Sequence, residues 1–309
     1  MTPRRVLAAI AIGLLAGFGG FLAWAHRPAI APIAVPPPAS FAPALVARGA
    51  ALARIGDCRS CHSVVPIAEH AGGRPLTTPF GTLYGANITP DPDKGIGHWS
   101  LAAFARALRE GVSRGGDHLY PAFPYDHFTG LSDGDVAALY AFVMTRRPVH
   151  ADPPPNRLMP PLAWRPLQAG WKLLFFRPAR LRPDPAMDPL WNRGAYLAEG
   201  VAHCASCHTP RGLLGDERDS QAYRGGKAEG WTVPPLTGRS GSERWTAGQI
   251  ETYLRTGRAP DGKSVAGPMA DVVANLALAP APDVHAIALY IAWWMGRQPG
   301  AAATAAARR

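Results

Sequence analysis

Apolar positions recur at helical spacing in two matching pairs of segments. Leu101, Phe104, Ala105 and Leu108 share one helical face, with Ser100 placed to cap it and Gly111 to stop it. Ile250, Tyr253 and Leu254 form the partner stripe, opened by Thr246 and Gln249 in a capping-box pattern and ended by Gly257. A second pair follows: Val136, Leu139, Tyr140 and Val143 after the cap Ser132, and Ile287, Tyr290, Ile291 and Trp294 in a helix starting near Asp283. The aromatics in these stripes read as core packing. A helix-forming lead, Ala44 to Arg54, precedes the first set, and Arg193-Gly194-Ala195-Tyr196-Leu197-Ala198 repeats its Arg48-Gly49-Ala50-Ala51-Leu52-Ala53. The chain is one unit written twice.

Two stretches break this periodicity. Val6 to Ala25 is an uncharged apolar run behind Arg4 and Arg5. Twenty apolar residues suffice to cross a bilayer, with the arginines on the cytoplasmic side. The Ala23-Trp24-Ala25 triplet also offers a signal-peptidase site. An uncleaved anchor is favoured over a cleaved signal, and either exports the body. Gly13 and Gly17 form a GxxxG that says little in so glycine-rich a helix. The other break, Arg147 to Pro189, is dense in proline and contains an apolar patch, Leu162 to Phe176, too short to span a membrane. It suits packing over both units, a membrane interface or a partner subunit.

The expected organisation is a signal anchor or signal peptide over 1–27 and a Pro/Ala-rich extended tether over 28–43. The first unit then covers 44–150, a Pro-rich linker 151–189, the second unit 190–298 and a tail 299–309. With 309 residues, 47% hydrophobic and 17% charged, the chain suits two folded domains. The 33 glycines and 33 prolines suit loops wrapped around a bound group. A formal charge of +10 implies a solvated basic surface, anionic headgroups or an acidic partner, and the export segment argues against nucleic acid.

All four cysteines lie in Cys58-Arg59-Ser60-Cys61-His62 and Cys204-Ala205-Ser206-Cys207-His208, 146 residues apart. Cys-x-x-Cys-His is the pattern of c-type haem attachment: two thiols add to the porphyrin vinyls, and the next imidazole takes the iron as proximal ligand. A redox disulfide or a zinc half-site needs no histidine there, still less twice. The expected cofactors are two covalently bound haem c groups, and the expected class is mainly α: two tandem class I-like cytochrome c domains plus the N-terminal anchor or signal helix. Met269, after Gly267-Pro268, is placed to be the distal ligand of the second haem, a soft thioether that raises the potential. The corresponding residue of the first unit is Phe123, which cannot bind iron. His127 ranks first as distal ligand there, His118 second and an open iron third. A bis-His first haem would pass electrons downhill to a His/Met second haem.

Thr78-Pro79-Phe80-Gly81-Thr82-Leu83-Tyr84-Gly85-Ala86-Asn87-Ile88-Thr89-Pro90-Asp91, Gly95-Ile96-Gly97-His98-Trp99-Ser100, His118 to Pro124 and Gly267-Pro268-Met269-Ala270 carry a resemblance. They resemble the cytochrome c subunits of membrane-bound alcohol dehydrogenases, and also those paired with some molybdenum hydroxylases, across roughly Ala44 to Arg297. The resemblance implies an electron-transfer subunit on the periplasmic side of a bacterial inner membrane. Its partners would be a dehydrogenase large subunit of the alcohol/aldehyde or molybdenum hydroxylase type upstream, and quinone or a terminal oxidase or cytochrome downstream. The chain departs from that family in stopping after two haem motifs where three are typical, and in having Phe123 where Met is common. There His118 stands beside the Met, which favours His127 here. The rival readings are a dihaem enzyme with an openable first haem, such as a peroxidase or thiosulfate dehydrogenase, and a redox or gas sensor, for which no output domain is seen.

Overall fold

The computed structural model describes residues 2–64, 68–238 and 243–297. The tail 299–309 and the end of the second unit, Gln298, lie outside the described residues. The molecule is mainly α. Helix α1 (Pro3–Ala25) is apolar after Arg5 and exposed except at Phe21 and Leu22, which are half-buried, and Ala25, which is buried. Next come α2 (Pro43–Ile55), α3 (Cys58–His62), α4 (Leu101–Glu110), α5 (Tyr125–Phe128) and α6 (Asp133–Met144). Strands β1 (Pro75–Thr78) and β2 (Gly81–Tyr84) form an antiparallel hairpin after α3. A linker strand, β3 (Arg157–Leu158), adds to the open edge of β2, and α7 (Leu167–Phe175) follows. The second unit is α8 (Pro189–Tyr196), a single π-helical turn Leu197–Val201, α9 (Ala205–His208), the hairpin β4 (Gly226–Ala228) and β5 (Trp231–Val233), α10 (Ala247–Thr256), α11 (Met269–Leu276) and α12 (Ala281–Met295).

Local chemistry sets the helix ends. The Ser100 hydroxyl accepts from Ala103 N at the start of α4, and Gly111 ends it at φ 60°, a left-handed conformation that glycine adopts without a Cβ penalty. Thr246 and Gln249 close a reciprocal capping box on α10, which ends at Gly257, φ 70°. Ser132 caps α6 through Asp135 N.

The two units repeat a packing as well as an order of elements. Where α2 crosses α6, a Cβ on Gly49 would lie 1.9 Å from the carbonyl oxygen of Ala138. Where α8 crosses α12, a Cβ on Gly194 would lie 2.0 Å from that of Ala286. Glycine is required at both because backbone meets backbone. An arginine one residue earlier clasps the partner helix each time, Arg48 to Asp135 and Arg193 to Asp283. The hydrophobic core runs through both units, with Leu131, Leu197 and Val201 almost fully enclosed. The segment 26–37 has no helix or strand, a 3-10 turn follows at Pro38–Ser40, and the segment is held along the first unit. Arg106 donates to Pro28 O (2.7 Å), Ile30 N to Arg114 O (2.9 Å) and Ile33 N to His98 O (3.1 Å).

Candidate functional site

In each unit a lead helix runs into a short helical turn that holds Cys-x-x-Cys-His. One turn puts the two thiols on one side with the imidazole next to them. All four cysteines are unpaired and half-buried. Burial pushes the thiols of Cys58, Cys61 and Cys204 up to about 12, so they stand protonated. Burial also lowers the pKa of His62, which favours the neutral imidazole. His62 Nδ1 donates to the carbonyl of Ala86 (2.7 Å), and His208 Nδ1 to that of Pro234 (2.9 Å). An imidazole fixed in that tautomer carries its lone pair on Nε2, the atom a metal takes. The loop bearing the acceptor passes very close: a Cβ on Gly85 would lie 1.8 Å from Cys61 O, and one on Gly226 2.8 Å from Cys207 O. Two thiols, an oriented neutral imidazole and a glycine that lets the loop approach fit thioether-bound haem.

The loops that follow α4 and α10 begin alike and then diverge. Leu119 N donates to Gly111 O and Val265 N to Gly257 O, both at 2.7 Å, closing the same loop. Four residues further on stand Phe123 and Met269, each half-buried against the core. Met269 opens a two-turn helix, α11, whereas Phe123 precedes the single turn α5 and packs its ring 5.4 Å from Phe128.

His127, expected at the distal side of the first haem, lies buried between the units with both ring nitrogens engaged. Nδ1 meets the carbonyl of Glu199 at 2.6 Å, and Nε2 meets the Glu217 carboxylate at 2.9 Å. Asp126 joins this group, its carboxyl raised above the usual range mainly by burial. His118 is engaged as well: Nε2 to Ala25 O (2.8 Å), and Nδ1 to the Lys172 amine (3.1 Å). Lys172 also donates to Glu110 O and Gly111 O at the end of α4. Burial, helped by nearby Arg27, lowers its pKa to about 7.

Sequence reading missed two features that join the units. The first is reciprocal docking. Asp57 and His203 each precede a first cysteine, both in the left-handed region (φ 51° and 41°). Asp57 receives Asn275 of α11 at 2.5 Å, while His203 packs 5.6 Å from Phe128 of α5. Each unit's distal helix thus rests on the other's attachment turn. Arg74 bridges the attachment side, donating to Ser60 O (3.1 Å) and Glu229 (3.2 Å). The second is Glu199, a buried carboxylate in the π turn that accepts from Tyr223 (2.8 Å) and Tyr290 (2.6 Å). A lone charge in the apolar run Leu197 to Val201 was its visible signal.

The duplicated thiol–thiol–imidazole turn on a mainly α frame defines a haem-attaching protein. No family model matches the chain. It is 46% identical over 303 residues to a nicotinate dehydrogenase subunit of Pseudomonas putida, covering 95% of this chain and 25% of that protein. It is 41% identical over 261 residues to the gluconate 2-dehydrogenase cytochrome c subunit of Pantoea cypripedii, covering 80% and 59%. A diheme cytochrome c-type protein of Cereibacter sphaeroides is 39% identical over 297 residues, covering 93% of this chain and 97% of that protein. The chain belongs to the c-type cytochrome family that this last protein represents, and it spans a quarter to about three-fifths of the two dehydrogenase subunits. Membership implies covalently bound haem c and an electron-transfer role.

Proposed function

We propose that the chain is an exported dihaem c-type cytochrome that takes electrons from a partner dehydrogenase and passes them towards the respiratory chain. The carrying observation is the matched pair of proximal imidazoles, clamped by Ala86 O and Pro234 O beside two unpaired thiols. Cys58, Cys61 and His62 would hold one haem, and Cys204, Cys207 and His208 the other, with Met269 as distal ligand of the second. Bound haem supplies reversible one-electron chemistry. The protein's part is to fix the imidazole tautomers, exclude water with the continuous core and set the two attachment turns back to back for transfer within the chain. The two domains are thus read as tandem class I-like cytochromes, on the periplasmic side of the membrane. The relatives' names support a dehydrogenase of the nicotinate, gluconate or alcohol-oxidising kind as donor. Quinone or an oxidase-side carrier is the acceptor proposed.

For His127 to reach iron it would have to leave Glu217 and the Glu199 carbonyl. We therefore assign it to the joint between the units. That geometry, with Phe123 at the position matching Met269, favours a second reading in which the first iron opens and the chain has enzymatic activity of its own. Pyridine haemochrome analysis tests the base reading: two equivalents per chain are expected, and one or none overturns it. Carbon monoxide and peroxide separate the two readings. A pure relay shows no peroxide turnover, whereas prompt carbon monoxide binding with turnover establishes the enzyme.

A further inference from the structure

The anchor helix does not stand alone. Trp164, in the proline-rich linker, stacks on Phe18 of α1 with ring centroids 5.8 Å apart and planes at 20°, and lies 6.2 Å from Phe21. Gly170 of α7 faces Phe21, since an added Cβ would lie 3.9 Å from that ring. The carbonyl of Ala25, where α1 ends, is held by the buried His118–Lys172 pair, which ties α1, α7 and the end of α4 into one assembly. A helix of 23 residues is about 35 Å long, against a hydrocarbon layer of about 30 Å. Phe18 and Phe21 lie inside that span. Whatever touches them from outside the helix therefore sits at or below the headgroup level on the exported side.

The surface that continues from this contact is apolar and unpartnered among the described residues. Leu173 and Leu174 follow Gly170 at i+3 and i+4, on the same stripe of α7, and are 62% and 58% exposed. Trp171 donates from Nε1 to Leu214 O (2.9 Å), which brings up the turn of Leu213, 92% exposed. Isolated exposed leucines are ordinary; a patch continuous with a membrane span is not. Its rim carries arginines. Arg177 folds back on the carbonyls of Leu173, Leu174 and Phe176, and Arg218 stands with Asp216 beside the Leu213 turn, while Arg211 is turned onto Glu217 and the carbonyls of Ser206 and Gly215.

We propose that Trp164, the Leu173–Leu174 stripe of α7 and the Leu213–Leu214 turn form a foot. It is seated in the interface of the bilayer that α1 crosses, with Arg177 and Arg218 on anionic phospholipid headgroups. This rests on α1 being a retained anchor. Tryptophan, leucine and arginine are the side chains that settle at that depth, and each arginine adds attraction to anionic lipid. The foot holds both attachment turns in one orientation to the membrane instead of letting them swing on a flexible tether.

The test uses the full-length holoprotein in vesicles of equal parts phosphatidylcholine and phosphatidylglycerol. Nitroxide labels are placed at Leu14→Cys, Leu174→Cys, Leu213→Cys and Thr252→Cys, with haem content checked for each and the haems reduced. The labels at 14, 174 and 213 are expected to collide with oxygen more than with a water-soluble nickel chelate, and the label at 252 the reverse. A lipid-like 14 with water-like 174 and 213 overturns the foot and leaves the anchor intact. All of them water-like overturns the anchor reading itself. Labels at 174 and 213 that are water-like on vesicles, yet shielded from both reagents once a dehydrogenase large subunit or more of this chain is added, assign the face to protein and also overturn the foot.

Discussion

The two units are alike around their thiol–thiol–imidazole turns and unlike in the segments that carry Phe123 and Met269. The helix crossings at Gly49 and Gly194, the arginine clasps and the imidazole clamps at Ala86 and Pro234 differ by tenths of an ångström. Beyond the closed loops at Leu119 and Val265 the likeness ends: Phe123 and a four-residue helix on one side, Met269 and an eight-residue helix on the other. Attachment permits one solution, because two thiols and an imidazole must meet a rigid group. The distal side can vary, because axial ligation sets the potential and whether the iron is closed.

The comparison breaks most completely at the attachment residues. Cys61→Ser and Cys207→Ser, made separately, should each remove one of the two haem equivalents, read by pyridine haemochrome on the purified protein. If either variant lost both, the units would not load independently and the symmetry would be only of form.

Next come the crossings. Gly49→Val and Gly194→Val each drive a side chain into a backbone carbonyl that cannot retreat, a strain expected to cost roughly 3 kcal/mol or more. Chemical denaturation should show similar losses for the two, with the effect shared by both units because the core is continuous. A tolerated Gly194→Val alongside a damaging Gly49→Val would mean that only the first crossing is tight in solution.

The distal sides should respond in opposite senses. Met269→Ala should abolish the weak near-infrared sulfur-to-iron band and lower one potential by on the order of 0.1–0.3 V, within the ~0.8 V that axial ligands command. Phe123→Met should add a second such band and raise the other potential. His127→Ala should leave the first haem's spin state unchanged while loosening the joint to Glu199 and Glu217. A shift to high spin would return His127 to the iron.

What could be read in advance follows from the range of the forces involved. Ser100, Gly111, Ser132, Thr246 with Gln249, and Gly257 act within one helical turn, and the structure has each of them doing so. The attachment pentapeptides are equally local. The engagement of His127 by Glu217, 90 residues away in sequence, has no local signature, and neither has Asn275 on Asp57 at 218. Both depend on how the units face each other. The linker defeated sequence reading for a similar reason: Arg157–Leu158 pairs as a strand with the open edge of β2, and α7 is positioned by distant partners, Lys172 on α4 and Trp171 on Leu214 O among them.

The arginine clasps give the smallest and most discriminating difference. Arg193 grips Asp283 with two arms on two oxygens, at 2.9 and 3.1 Å. Arg48 puts both of its nitrogens on one oxygen of Asp135, each at 2.7 Å, because the second oxygen belongs to Tyr196 of the other unit at 2.5 Å. The Asp135 side chain is 2% exposed, and that of Asp283 is 18% exposed. Arg193→Ala should therefore cost less than about 1 kcal/mol, as for a pair partly in water. Arg48→Ala strands a more deeply buried carboxylate with one hydroxyl donor and should cost about 1–2 kcal/mol, since half of Arg48 is itself solvated. In an Asp135→Asn background the Arg48→Ala penalty should shrink towards that of Arg193→Ala, because no charge is then left behind. Equal penalties for Arg48→Ala and Arg193→Ala in the otherwise unchanged chain would show that Tyr196 contributes nothing to the joint, and that the two clasps are equivalent after all.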